Sequence, residues 1–374
     1  MKNSLYTLGL IVLVTFTSIA ANAEEKHYRH LMFRESPYAP YQGIHPVSEA
    51  KSKSIAHYEF KYDQRGRVTR ISRKFDDAII EAHGVWDSFI WFAPEVKISY
   101  QDDTETHTYY NLMGKQIHAH GKVWKAVYRL DDSGVRRDLQ FFDSKGKKSA
   151  NAWNVSRYEW RPSDDGHIFE RRFNLDGAQE KFRPELDFYE VKLEYDTKGQ
   201  LAFMRNFGLE HKPTNNDSGA GIDRVTYDLE GNFIRWQVYD KDGIAVEGNR
   251  PMVHLGEHLY DSYGNKIGLR GFDRHGNQIP FSWGSMMGRY QYNDKGAQIG
   301  VQTYLQDGTQ TANFEYEYNH DLSKQLTLKS LDNQGNLKVD KRLRGGSLIK
   351  FTYDDNRNRS RTIYNADGSL LKQQ

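Results

Sequence analysis

Polar and apolar residues alternate on both sides of a short break near residue 230. Arg224-Val225-Thr226-Tyr227 precedes it, and Asn232-Phe233-Ile234-Arg235-Trp236-Gln237-Val238-Tyr239 follows it. A period of two written in Val, Ile, Thr, Tyr and Phe is the pattern of β-strands. The break itself, Asp228-Leu229-Glu230-Gly231, carries turn chemistry. An Asp at the first turn position accepts a hydrogen bond from the backbone N–H two residues on, and a Gly at the fourth takes a left-handed conformation that costs other residues a Cβ clash. The pattern therefore predicts a hairpin. No stretch beyond the N-terminal segment shows a period of 3.6, so helices are not expected.

The same unit recurs along the chain. An aromatic residue, Asp or Asn, two free positions and Gly appear from Tyr62, Phe142, Phe173, Tyr195, Tyr227, Tyr239, Tyr260, Phe272, Tyr292 and Tyr364, with leucine-led copies at Asp131…Gly134 and Asp332…Gly335. The copies come in pairs about twelve residues apart, and first members at Tyr195, Tyr227, Tyr260 and Tyr292 repeat every 32 or 33 residues. Weaker copies extend the series to Trp160 and Tyr128 upstream and to Tyr318 and Tyr353 downstream. Such periods mark stacked repeats. The expected fold is all-β: an elongated array of antiparallel β-hairpin repeats, about nine or ten units of roughly 32 residues, forming a twisted sheet or solenoid-like ribbon. The aromatic closing each strand is expected to pack across to the next repeat.

The array is expected to span residues 55–374. Residues 1–23 read as a secretory signal peptide, with Lys2, an apolar stretch from Leu5 to Ala20 and cleavage after Ala23 in Ala21-Asn22-Ala23. The apolar run is short, so no stable membrane span is expected after cleavage, and the mature protein is expected to be periplasmic or secreted. Residues 24–54 lack the motif and read as an N-terminal cap or arm. An apolar insertion near 77–97 contains Val85-Trp86-Asp87-Ser88-Phe89-Ile90-Trp91-Phe92, and residues 211–221 have the composition of a surface loop.

Composition agrees with a repeat sheet. Hydrophobic residues make up 37% and charged residues 27%, which suits a thin sheet with two solvated faces more than a compact enzyme core. Tyrosine is the dominant aromatic, with 24 residues, and implies a narrow aromatic ladder. There is no cysteine, so no disulfide framework is available to an exported chain. Basic and acidic residues are interspersed at a net charge of +2, without the basic stripe of a nucleic-acid binder.

The turns Tyr227-Asp228-Leu229-Glu230-Gly231-Asn232, Tyr260-Asp261-Ser262-Tyr263-Gly264-Asn265 and Phe272-Asp273-Arg274-His275-Gly276-Asn277 resemble those of YD-repeat (Rhs-type) bacterial extracellular β-repeat proteins. The resemblance implies the architecture and an extracytoplasmic setting. Family units are usually nearer twenty residues and build much longer shells, so an encapsulating role is not carried over.

Catalytic signatures are thin. No Gly-x-Ser-x-Gly elbow, His-Glu-x-x-His pair or phosphate loop is present. The acidic turns, such as Asp240-Lys241-Asp242-Gly243, lack the ligand set of a calcium loop. His118 and His120, placed to share one face of a strand, and His254 and His258, four apart, have no partners at zinc spacing. No metal site and no cofactor are expected. The reading is a non-catalytic exported module, binding or structural, at the bacterial cell envelope, with a protein or polysaccharide partner. The alternative is an envelope enzyme or hydrolase accessory with its site in 77–97 or 211–221. In repeat scaffolds the informative residues are departures from the consensus. The candidate partner-binding patch is Trp86, Phe89, Trp91 and Phe92, with Trp124, Trp153, Trp236 and Trp283 as further departures. The last repeat, 353–374, is a candidate for self-association.

Overall fold

The computed structural model describes residues 24–81, 92–184, 186–355, 357 and 359–373. The predicted signal peptide with its cleavage point, and Trp86, Phe89 and Trp91, lie outside the described residues. Within them the chain is all-β. It forms one open antiparallel sheet of 25 strands. The helical elements described are the single turn Glu49–Ser52 and the 3-10 turn Lys341–Leu343.

The sheet is a meander of ten hairpins, in which each long strand pairs with the next. Six successive hairpins begin at Lys125, Arg157, Glu190, Ile222, Leu255 and Met287, in steps of 32 or 33 residues. Thereafter the period breaks. The turn after Tyr304 leads straight into Gln310–Tyr318, whereas a long connection containing the 3-10 turn separates Gln325–Ser330 from Leu348–Tyr353. Each regular unit holds two tight turns, because the first closes the hairpin and the second bends the chain out of its second strand; most are Asp- or Asn-x-x-Gly, while Ser163, Gly208 and Leu305 open the exceptions.

All twelve motif glycines have positive φ, with Gly231 at 93°. The side chain of Asp63 shows the turn's bonding: its Oδ1 accepts from the N–H of Arg65 and of Arg67, each at 2.9 Å. Tyr110-Asn111…Gly114, a further copy of the motif beyond those twelve, repeats this geometry.

Burial alternates along many of the repeat strands, as in Thr104–Tyr110 and Ile168–Phe173. One face of the sheet is therefore interior, and the expectation of two solvated faces does not hold. Curling is the physical cause. The N–H of Ala56, at the start of Ala56–Tyr62, donates to the carbonyl of Lys295, in the turn after Met287–Tyr292, at 2.8 Å. Ala56, Phe75 and Ile80 meet Ala297 and Leu322 in one apolar cluster. The ribbon thus winds back upon its own beginning.

The N-terminal segment fills the interior. Glu25–Leu31 pairs with both Gly43–Val47 and Ala56–Tyr62, and residues 31–36 between them are buried. Successive repeats grip the segment beyond. Arg136 donates to the carbonyls of Pro37 and Tyr38 at 3.0 and 2.9 Å, Ser36 Oγ donates to Glu170, and Glu35 pairs with Arg183 at 3.1 Å. The expected aromatic ladder is present: Tyr128 and Trp160, from adjacent repeats, stack with centroids 6.1 Å apart and planes 7° apart. Tyr195, however, packs not on the next repeat but on Tyr38 of the N-terminal segment, at 5.7 Å.

Candidate functional site

Phe92 is the described member of the predicted patch. It is half-buried, with its ring 5.3 Å from Tyr58 and 6.0 Å from Tyr41. Of the further departures, Trp124 packs against His118, whereas Trp153, Trp236 and Trp283 line one cavity of about 500 Å³. That volume lies within the range of small-ligand sites. The cavity sits between Phe33 and Glu35 of the N-terminal segment and the inner face of the hairpins from Glu190 to Tyr304.

Glycines let neighbouring side chains press close against the strands here. Gly256, Gly268 and Gly271 occupy buried strand positions. At Gly256 the approach is decisive: a Cβ there would fall 1.9 Å from the Trp236 ring. Glycine lets the indole lie flat against the strand, a use of strand glycine typical of close approach. From Trp236 the aromatic surface continues through Phe281, stacked at 6.5 Å, to Trp283, stacked on Phe281 at 4.6 Å. Trp283 is 52% exposed and forms the mouth. On the other side Phe33 meets Phe233 at 4.3 Å, bringing the N-terminal segment onto the aromatic floor.

Two buried charged groups stand on this wall. The residue two after the hairpin glycine is Val68, Ile168, Leu201 or Phe233 in four units, but Arg136, Lys266 and Gln298, all buried, in three others. The position of Asp223 is held by Val96, Ala126, Tyr158 and Val191 in preceding units, as the strand registers show. Lys266 is 8% exposed, with Nζ 5.2 Å from the Tyr290 ring centroid. Burial lowers its pKa to about 7. Asp223 is 7% exposed. Burial, then the charge of Glu35, pushes its carboxyl up to about 7, against the opposing effects of Arg183 and Asn249.

Both Asp223 oxygens accept from Asn249 Nδ2 at 3.0 Å. Asn249 in turn accepts from Asn216 at 2.9 Å, so the 211–221 segment reaches the site through this amide. His258 donates through Nδ1 to the Phe233 carbonyl at 2.9 Å. Burial, reinforced by Lys266, holds its pKa well below the ordinary histidine value. Sequence reading missed Asp223 and Lys266. The available signal was repeat register for Asp223, a carboxylate in a column that is apolar in the preceding units; the column of Lys266 also holds Arg136 and Gln298.

The histidines weighed as metal ligands find other roles. His118 and His120 do not share a strand, because the chain bends there after the Asn111…Gly114 turn; their rings pack on Trp124 and Trp153. His254, like His258, bonds a backbone carbonyl, that of Val238, at 2.7 Å. Among the described residues Glu25, His27 and Glu59 have donor atoms within 4.8 Å of one another. Their carboxylates already face ammonium groups: Lys61 is 2.9 Å from Glu25, and Lys74 is 2.6 Å from Glu59.

No family model and no curated protein matches this chain. Among solved structures it is similar to TcdB2-TccC3, with 12% identity over 84% of this chain and a TM-score of 0.33. The chain spans 17% of the length of that structure. A porin-like protein from Bacteroides uniformis matches with 11% identity, over 82% of this chain and 95% of that one, and a TM-score of 0.25. Among the described residues no helix is long and apolar enough to cross a membrane.

Proposed function

We propose that this is a non-catalytic binding module of the bacterial cell envelope, exported to the periplasm or beyond, that holds part of a protein or polysaccharide partner in the aromatic cavity of its curled sheet. The observation that carries this reading is the coincidence of three features at one place. Aromatic rings form the wall, Gly256 lets one of them lie flat against its strand, and the buried Asp223 and Lys266 line the same space. Burying Asp223 and Lys266 costs desolvation energy, which a ligand of complementary charge would offset. The YD-like turns and the apolar N-terminal stretch support the envelope setting.

Tryptophan fluorescence tests the reading directly, since three of the seven tryptophans line the cavity. Titration with soluble peptidoglycan fragments, exopolysaccharide oligomers and a peptide pool is expected to give saturable quenching with at least one class. Trp236→Ala is expected to abolish it. Quenching that persists in Trp236→Ala places binding elsewhere, and turnover of a substrate in a hydrolase panel replaces the module with the enzyme alternative. Cell fractionation checks export: recovery of the protein in the cytoplasm overturns the envelope setting.

A further inference from the structure

The polarity of the cavity narrows its ligand, given that the cavity is a binding site at all. Asp223 and Lys266 lie at opposite ends of the strands that floor it. Asp223 pairs with Val238, near the end of Phe233–Tyr239, whereas Lys266 pairs with Tyr260, at the end of Leu255–Tyr260. Because successive strands are antiparallel, these pairs fall at opposite edges of the ribbon. Asp223 and Lys266 are also three strands apart, ~14 Å at the usual strand spacing.

One end holds Asp223 beside Glu35, whose charge Arg183 balances, with Arg250 also lining the cavity next to Asn249; the other end holds Lys266 beside His258. Between them runs an aromatic floor of Phe233 and Trp236. The geometry points to a short extended peptide with free ends as the ligand, its α-ammonium at Asp223 and Glu35, its α-carboxylate at Lys266, and its side chains on the aromatic floor.

Three considerations favour a peptide over a saccharide. A neutral oligosaccharide offers hydroxyl hydrogen bonds but no countercharge to two buried groups of opposite sign at separate ends. An extended peptide advances about 3.3 Å per residue, so roughly four to six residues bridge the two ends. Burial disfavours the charged form of both groups, and a ligand charge of opposite sign restores it at each. Arg183 already answers Glu35 at 3.1 Å, and Asn249 is a neutral partner for Asp223, so the Asp223 carboxylate is the group that gains most from an incoming ammonium.

Calorimetric titration of the full chain with a pentapeptide of alanine and phenylalanine tests this in three forms: free-ended, N-acetylated and C-amidated. Each blocked form is expected to bind wild type at least about tenfold more weakly than the free peptide, the loss for a buried charge pair broken on one side. Asp223→Asn should lose the preference for a free amine and keep that for a free carboxylate; Lys266→Met should do the reverse. Circular dichroism confirms that each variant is folded, and should either fail to fold, the blocked peptides decide the matter on wild type alone. Equal affinity for free and blocked peptides overturns the inference. Binding of an oligosaccharide but no peptide overturns it while leaving the module reading intact, and absence of any cavity ligand sinks both.

Discussion

The backbone N–H of Ala56 and the carbonyl of Lys295 meet at 2.8 Å, although 239 positions separate them in the chain. This bond turns a string of nearest-neighbour hairpins into a winding whose later repeats support its beginning. A chain ended before Tyr292 loses both the bond and the Ala297 and Leu322 side of the apolar cluster around Ala56 and Phe75. Its Ala56 amide is expected to exchange hydrogen about tenfold faster or more than in the full chain. Unchanged exchange would show that the repeats stand independently.

Glu170 is the buried anchor of the interior. It pairs with Arg172 at 2.9 Å, both side chains fully buried, and accepts from the Trp160 indole at 2.7 Å as well as from Ser36. Glu170→Leu leaves the Arg172 guanidinium buried without its carboxylate and is expected to cost about 3–5 kcal/mol. Adding Arg172→Leu should recover part of that loss. Thermal denaturation of the two variants decides, and a double variant less stable than the single one would contradict the assignment.

Asp223 and Lys266 make stability depend on pH in opposite directions. The folded state holds the Asp223 proton more tightly than the unfolded chain, so stability falls as pH rises from about 4 through about 7. Lys266, lowered from 10.5 to about 7, destabilises fully below pH 7 and is relieved as pH rises toward 10.5. A shift of this size corresponds to something on the order of 4 kcal/mol for Asp223 at most. Asp223→Asn is therefore expected to raise Tm more at pH 8 than at pH 4, and Lys266→Met more at pH 6 than at pH 10. Loss of Tm in both variants at every pH would make the two residues structural rather than functional.

Turn glycines are not equivalent. At Gly276 an added Cβ meets nothing within 4 Å, so Gly276→Ala costs only the positive φ, about 1 kcal/mol. At Gly264 the same methyl falls 2.4 Å from the His45 ring on the strand Gly43–Val47. Gly264→Ala should lower Tm distinctly further. Equal effects in a melting comparison would mean that the N-terminal strand does not seat against this turn.

The final strand, Leu370–Gln373, pairs only with Arg359–Tyr364 among the described strands, and Leu370 is 61% exposed. An open strand edge with exposed leucines favours strand addition. Removing residues 369–374 is expected to abolish self-association in light scattering and to leave the circular dichroism of the remaining repeats unchanged. A truncated chain that keeps the oligomeric state of the full chain would transfer attention to the region of Phe92.

Turn chemistry and strand alternation are local, and they were legible in the sequence. Asp-x-x-Gly dictates a bulged turn wherever it occurs, because only glycine takes positive φ there without strain. Hence the all-β class, the hairpins and the 32-residue step between Lys125 and Met287 could all be read residue by residue. The departures Trp153, Trp236 and Trp283 were legible as exceptions too, though not as neighbours. What the sequence could not express was curvature. The twist between successive strands, set by backbone sterics, accumulates over many repeats. Only its sum brings Lys295 to Ala56 and folds residues 31–36 inside. Asp223 and Lys266 became a site for the same reason: each is an ordinary charged residue in its own strand, and the winding alone buries both and turns them toward one cavity.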